Sequence, residues 1–325
     1  MKRFKNILFV VDPQRGCQAA LEHAVALAES NHARLTLADV IVPNRLALLT
    51  SGEASPIQAL QDALMTNRAA RLSDMVRSFR DRLPIMSQVL IGTPYLEIVR
   101  AVLAQEHDLV IRPPEDVTWL DTMLGSDDMN LLRQCPCPVW LTKCHAGRSF
   151  RRILAAIDVT AADGGEDETR RELNRRILEL AASLAFSESA ELHVAYVWEA
   201  LGEELMRGTM LSIPEEQITA YVSSVHARCA HALEALVTEV LGGLGAPPPA
   251  ERKPKLHLPR GAARKKIPAL AERLGADLIV MGTLARCGIP GLIMGNTAET
   301  ILRQVDCSVL AIKPVGFTSS IQASA

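Results

Sequence analysis

The residues best suited to chemistry are an acid and two glycines in the second half of the chain. Asp158 ends an apolar run, Gly282 ends another, and Gly295 lies thirteen residues further on, directly before Asn296 and Thr297. A glycine after a buried strand lets backbone N–H groups approach an anion, and the start of a helix presents unpaired N–H groups in the same way. With Asn296 or Thr297 as the N-cap of that helix, the combination suits phosphates together with a ribose hydroxyl.

Alternating strands and helices must position these residues. Apolar runs of five to eight residues, rich in Val, Ile and Leu, predict strands buried on both faces, and amphipathic stretches such as Glu215 to Leu241 separate them. This alternation predicts an α/β fold with right-handed crossovers and a parallel, doubly wound sheet. Five strands per sheet fit the flavodoxin-like order 3-2-1-4-5, whose ligand crevice lies between strands 1 and 4.

The chain is a duplication. The run from Asn6 to Asp12 is echoed from Arg152 to Asp158, and the segment from Ile91 to Ile111 matches the segment from Arg260 to Val280 without a gap. Such a repeat, in a chain of 325 residues, predicts two tandem domains. We expect them at 1–146 and 150–316, followed by a flexible tail at 317–325.

The first copy lacks the glycine after its fourth strand. It carries Arg112-Pro113-Pro114-Glu115-Asp116 there. Proline has no N–H donor, and the two acids would repel phosphate. We therefore expect the first domain to bind no nucleotide and to serve as a built-in partner of the second.

Composition excludes several classes of protein. With 48% hydrophobic and 22% charged residues and a formal net charge of −2, the chain lacks the basic bias of a nucleic-acid binder. Neither a membrane-spanning apolar stretch nor a signal peptide is evident, and seven cysteines do not suggest a disulfide framework. These features predict a cytoplasmic protein with neither nucleic acid nor membrane as partner.

The loop after Met281 resembles the universal stress protein family in its tandem-domain form. Nucleotide-binding members carry G-x-x-G, nine residues, and then G followed by Ser or Thr. Here Gly282 and Gly295 keep that spacing, Ala285 replaces the second glycine, and Asn296 replaces the hydroxyl residue, with Thr297 next. The resemblance covers nearly the whole chain and implies a fold of the adenine nucleotide alpha-hydrolase-like type.

The resemblance also implies a ligand and contacts. It implies binding of ATP, with a divalent cation, and association of the two domains through their fifth strands. Carried over residue by residue, it assigns the nucleotide site to Asp158, Val197 (or its neighbour Tyr196), Gly282, Thr283, Ala285, Arg286, Gly295, Asn296 and Thr297.

Catalytic groups cannot be named from the sequence. Neither a Ser-His-Asp order nor a metal-ligand cluster stands out, so we expect a non-catalytic regulatory protein of the stress response, with slow ATP hydrolysis at most. Two alternatives stay open. The second-domain cavity could hold a more apolar ligand, or both copies could form a purely structural interaction module; pairing into a homodimer is compatible with each.

Overall fold

The computed structural model describes residues 4–11, 18–42, 54–113, 127–143, 149–159, 168–208, 213–244, 253–283 and 294–322. The chain divides into two compact units. The first contains the described residues up to 143 and the second contains 149–283 and 295–316. Residues 317–322 belong to the first unit, in which the Ser320 hydroxyl donates a hydrogen bond of 2.8 Å to Gln134 Oε1.

The first unit is a parallel sheet with helical crossovers. Its elements are β1 (Asn6–Val10), α1 (Gln18–Asn31), β2 (Arg34–Ile41), α2 (Ala54–Arg77), β3 (Ile85–Ile91), α3 (Pro94–Gln105), β4 (Leu109–Arg112), α4 (Asp127–Gln134) and β5 (Val139–Leu141). The strands lie in the order β3-β2-β1-β4-β5, and each neighbouring pair is parallel. Every residue of β1 is buried, as expected of a central strand covered on both faces.

The second unit repeats this arrangement. Its elements are β6 (Arg152–Ile157), α5 (Glu168–Glu188), β7 (Glu191–Tyr196), α6 (Glu203–Arg207), α7 (Glu215–Gly242), β8 (Lys255–His257), α8 (Ala263–Leu274), β9 (Leu278–Gly282), α9 (Asn296–Gln304) and β10 (Ser308–Ile312). The strands lie in the order β8-β7-β6-β9-β10, again all parallel. The predicted α/β class is confirmed.

The duplication extends to local backbone geometry. Glu106 is the C-cap of helix α3 and Gly275 is the C-cap of helix α8, and both residues adopt the left-handed conformation, with φ of 55° and 58°. A left-handed residue closes the last helical turn, and glycine adopts it without steric cost. The two copies thus share a helix stop that only the second makes with glycine.

Within the described ranges, none of the helices combines the length and apolar content needed to cross a bilayer.

Candidate functional site

The register of the second sheet brings three of the predicted residues to one end. Strand β6 lies between β7 and β9, with Ile157 opposite Tyr196 and Ala156 opposite Met281. Adjacent strands are about 4.8 Å apart. Asp158, the half-buried Val197 and Gly282 therefore lie side by side at the carboxyl ends of their strands.

A buried asparagine fixes the backbone of Asp158. The Asp158 N–H donates a hydrogen bond of 3.1 Å to Asn174 Oδ1, and Asn174 Nδ2 donates one of 2.8 Å to the Asp158 carbonyl. Asn174 is on α5 and is only 2% exposed, whereas the Asp158 side chain is 59% exposed. The backbone of Asp158 is thus held at a defined place, while its carboxylate faces solvent.

Arg170 is the charged neighbour of this carboxylate. Its Nη1 lies 3.5 Å from Asp158 Oδ2, and its side chain is 19% exposed. Because Arg170 and Asn174 are four residues apart on α5, they share one helical face. A carboxylate and a guanidinium, from Asp158 and from Arg170 of α5, therefore lie together at the end of β6.

Gly282 is required by packing. A Cβ at this position would lie 2.7 Å from Cδ2 of Leu173 and 3.4 Å from Cδ1 of Ile177, both on α5. Leu173 is buried, so the space beside Gly282 is filled by the core of the second domain. The glycine permits close approach of the helix to the sheet, independently of any ligand.

Thr283 is committed to the neighbouring strand. Its backbone N–H donates to the carbonyl of Ile312 over 3.0 Å, and its hydroxyl donates to the same oxygen over 3.3 Å. Thr283 is buried. Neither donor is directed toward a ligand in this arrangement.

The start of α9 differs from the expected cap. Gly295, with φ of −63° and ψ of 136°, is the N-cap, and Asn296 is the first helical residue. The prediction that Asn296 or Thr297 caps the helix is therefore wrong; Gly295 has the extended backbone of an N-cap and no side chain to accept the first N–H groups. Asn296 and Thr297 are exposed. The right-handed crossover from β9 to β10 starts its helix at the carboxyl edge of the sheet, the edge that carries Asp158.

The end of β7 carries an inert pair. Tyr196 Oη lies 4.0 Å from Cys229 Sγ on α7. Burial, with Cys229 beside it, raises the pKa of the Tyr196 hydroxyl well above its ordinary value, and burial also raises the pKa of the Cys229 thiol. Both groups stay protonated near neutral pH, so neither supplies a nucleophile.

Two predicted site residues, Ala285 and Arg286, lie outside the described residues, as do Pro114, Glu115 and Asp116 of the first copy. The described part of the first copy shows what replaces the second-domain arrangement. Arg112 Nε lies 3.2 Å from Asp128 Oδ1, and both side chains are buried. Sheet register and sequence offset place Arg112 where the second domain has Met281, and Asp128 where it has Ala298.

A histidine pair forms a separate cluster on β7 and β8. His193 Nδ1 lies 2.9 Å from His257 Nε2, and His193 Nε2 lies 3.3 Å from Glu191 Oε2. Burial lowers the pKa of both imidazoles, so the pair is neutral and one ring donates to the other. Among the residues that the structure describes, none of the groupings of three or more His, Cys, Asp or Glu side chains could hold a metal ion.

Sequence reasoning missed Asn174 and Arg170. Asn174 lies in helical register with Ile177, Leu178 and Ala181, all of which are buried. A polar residue on the apolar stripe of a helix must find a hydrogen-bond partner. The sequence pattern alone could therefore have identified Asn174. Its hydrogen-bond partner, the backbone of Asp158, could be identified only from the structure.

Comparisons with known proteins identify the family of the chain. Universal stress protein E of Escherichia coli strain K12 is 24% identical over 325 residues, covering 99% of this chain and 98% of that protein. The Haemophilus influenzae homolog is 26% identical over 322 residues, with 96% and 98% covered. A solved structure of a functionally unknown Pseudomonas aeruginosa protein superposes with a TM-score of 0.70 at 25% identity, covering 96% of this chain and 94% of that one. The family model of the universal stress proteins matches residues 3–143 and again 149–313, and the chain therefore belongs to the universal stress protein family.

Proposed function

We propose that the second domain binds ATP or a related nucleotide and acts in the stress response by conformation rather than by catalysis. The observation that carries this proposal is the exposed carboxylate of Asp158, a residue whose backbone buried Asn174 fixes at the carboxyl end of a central strand. In open α/β sheets ligands bind at that edge, where the strand order reverses. A carboxylate on a fixed backbone there is placed to accept hydrogen bonds from ribose hydroxyls.

The phosphates would rest on the start of α9. Gly295 brings no side chain to the first turn, and Asn296 and Thr297 are exposed. The first N–H groups of a helix and its dipole favour an anion. Thr283 contributes to this arrangement by fixing the end of β9 to Ile312, and Gly282 contributes by its packing against Leu173. Ala285 and Arg286, which lie between Gly282 and Gly295 in the sequence, would contribute the remaining contacts to the nucleotide.

Adenine would contact the chain at Val197, beside Asp158 in the register of β6 and β7. A divalent cation bound with ATP takes most of its ligands from phosphates and water, with one or two carboxylates from the protein. The solvent-facing Asp158 fits that requirement. The cation would screen the phosphate charge, while this chain's residues position the nucleotide.

The first domain, in this proposal, binds no nucleotide. Its buried Arg112 and Asp128 form an ion pair at the positions of Met281 and Ala298. The same proposal includes three further expectations. The domains span 1–146 and 150–316, they associate through their fifth strands, and the protein is cytoplasmic.

Isothermal titration calorimetry with ATP and Mg²⁺ tests the proposal. We expect one equivalent bound per wild-type chain and an affinity at least tenfold weaker in Asp158→Asn, which removes the charge and keeps the size. The matched control is Asp12→Asn, the same change in the first copy, which should bind as wild type does. Absence of binding to the wild-type chain overturns the proposal, as does equal weakening by both variants.

Mass spectrometry of the denatured, freshly purified protein separates the two ligand classes. A co-purified adenine nucleotide supports the proposal. An apolar molecule released in its place, together with no heat of ATP binding, assigns the second domain to the other ligand class.

A further inference from the structure

In the part of the chain that the structure describes, the outer edge of the first sheet is unprotected. Strand β3 ends the strand order of that unit, and among the described residues no strand pairs with its outer side. Its seven residues read Ile-Met-Ser-Gln-Val-Leu-Ile, with neither a charge nor a proline. Natural edge strands usually avoid pairing by being short, charged, bulged or interrupted by proline. Strand β3 has none of these features of composition or length.

The second domain provides the contrast. Its edge strand β8 has three residues and begins with Lys255, whose Nζ lies 2.9 Å from Glu191 Oε2. Short length and charge are protective features. The duplicated fold therefore has one protected edge and one open edge.

The free hydrogen-bonding groups of β3 can be assigned. Gly92, directly after the strand, donates its N–H to the Ile41 carbonyl of β2 over 3.0 Å. Because the N–H and C=O of successive strand residues point alternately to the two sides, Leu90 and Gln88 also direct theirs to β2. Ser87, Val89 and Ile91 then direct theirs to the open edge.

This set of groups is complementary to itself. If two copies of β3 run antiparallel about a two-fold axis at Val89, Val89 pairs with Val89 of the other copy, and Ser87 pairs with Ile91. All three are hydrogen-bonded pairs of the antiparallel type, in which two residues exchange both N–H···O bonds. A two-fold axis requires such a self-matching patch.

Apolar exposure favours the same pairing. Met86 is 52% exposed and Ile91 is 45% exposed, on opposite faces of the strand because side chains alternate. Antiparallel pairing would cover both faces of the edge with the other copy's side chains. We propose that a second copy of this chain docks on β3, joining the first-domain sheets of two chains through an antiparallel β3–β3 pair centred on Val89.

Sedimentation velocity over a concentration series tests this proposal. Ser87 and Ile91 are exposed, so charges there leave the fold intact, which circular dichroism checks. Ser87→Lys with Ile91→Lys places lysine opposite lysine twice and should give a monomer. Ser87→Lys with Ile91→Glu places lysine opposite glutamate twice and should restore the dimer of the wild type.

The two double variants differ only at residue 91, so surface hydrophobicity is matched and the sign of the charge is isolated. A wild-type chain that stays monomeric at its highest soluble concentration overturns the proposal. So does a dimer that persists in the lysine–lysine variant, because the contact then lies elsewhere. Dissociation of both variants to monomers overturns the Val89 register and with it the proposal.

Discussion

Asn174 and Asp158 are joined by two hydrogen bonds, with the Asn174 amide donating to the Asp158 carbonyl over 2.8 Å and its oxygen accepting from the Asp158 N–H over 3.1 Å. The side chain of Asn174 thus continues the ladder of β6 where the strand ends at Ile157. These bonds link helix α5 to the end of the central strand. The position of the Asp158 backbone depends on this connection.

Replacing Asn174 by Ala should destabilise the second domain and weaken nucleotide binding. Two backbone groups lose their partners, which costs about 1 to 3 kcal/mol of the free energy of unfolding. Urea unfolding measures this loss and calorimetry the accompanying change in ATP affinity. Asn174→Asp is the control: it keeps the acceptor and loses the donor, so its stability should differ from that of the wild type. Wild-type stability in both variants would contradict the structural role of the pair.

Gly282→Ala should destabilise the protein through Leu173. The new Cβ would lie 2.7 Å from Leu173 Cδ2, and overpacking of a core costs about 1 to 3 kcal/mol. Leu173→Val removes the contacting methyl group and should recover part of that loss in the double variant. A double-mutant cycle on unfolding free energies measures the coupling. Additive effects would show that the two residues do not meet.

Gly295→Asp should stabilise α9 and abolish anion binding at its start. Aspartate is a favoured N-cap, and the extended backbone of Gly295 accepts it. Its carboxylate would occupy the N–H groups and repel phosphate. Gly295→Asn caps equally well without the charge, so ATP affinity should fall further in the Asp variant, by at least tenfold. Equal affinities in the two variants would place the phosphates elsewhere.

Replacing one partner of the Arg112–Asp128 pair should destabilise the first domain, whereas replacing both partners should leave its stability nearly unchanged. Arg112→Met alone leaves the buried Asp128 carboxylate without this guanidinium, at a cost of about 3 to 5 kcal/mol. Asp128→Ala alone should cost less, because Arg112 also interacts with Asp127. The double variant recreates Met281 and Ala298 of the second domain and should unfold within about 1 kcal/mol of the wild type. Thermal and urea unfolding of the three variants check this. A double variant as unstable as the sum of the singles would refute it.

Stability should fall as the pH is lowered from 7 to 5. Burial lowers the pKa of His23 and of His107 from 6.5 to about 4, so below pH 6.5 the unfolded chain binds protons that the folded chain does not. Each histidine should therefore lower the free energy of unfolding by about 1 to 2 kcal/mol between pH 7 and pH 5. Urea unfolding at both pH values measures the loss. His107→Gln should reduce it, and an unchanged loss in that variant would contradict the assignment.

The alternation of elements could be predicted because buried parallel strands appear as apolar runs. The stripe predicted on α7 is also found, with Ile218, Val225, Cys229 and Leu233 all buried. The limits of a helix are harder to predict: α5 runs from Glu168 to Glu188, but its buried residues extend only from Leu173 to Ala185. The residues before Leu173 are all polar, so no apolar period marks the start of the helix.

The site illustrates what pattern alone cannot supply. A glycine after a strand is compatible with phosphate approach and with tight packing, and the distance from Gly282 to Leu173 distinguishes the two. The cap of α9 was placed one residue late or more because polar side chains favour N-caps, whereas Gly295 occupies the position through its backbone. A tertiary contact, absent from any local window, decided the first case, and backbone geometry decided the second.

The buried ion pair of the first domain also bears on how the protein would respond to the concentration of nucleotide. If the first copy, in which Arg112 is paired with Asp128, binds no nucleotide as proposed above, each chain offers a single nucleotide site. Its saturation would follow a simple hyperbola, since cooperativity between like sites needs two of them. Any steeper, switch-like response to cellular nucleotide levels would have to arise from coupling between chains.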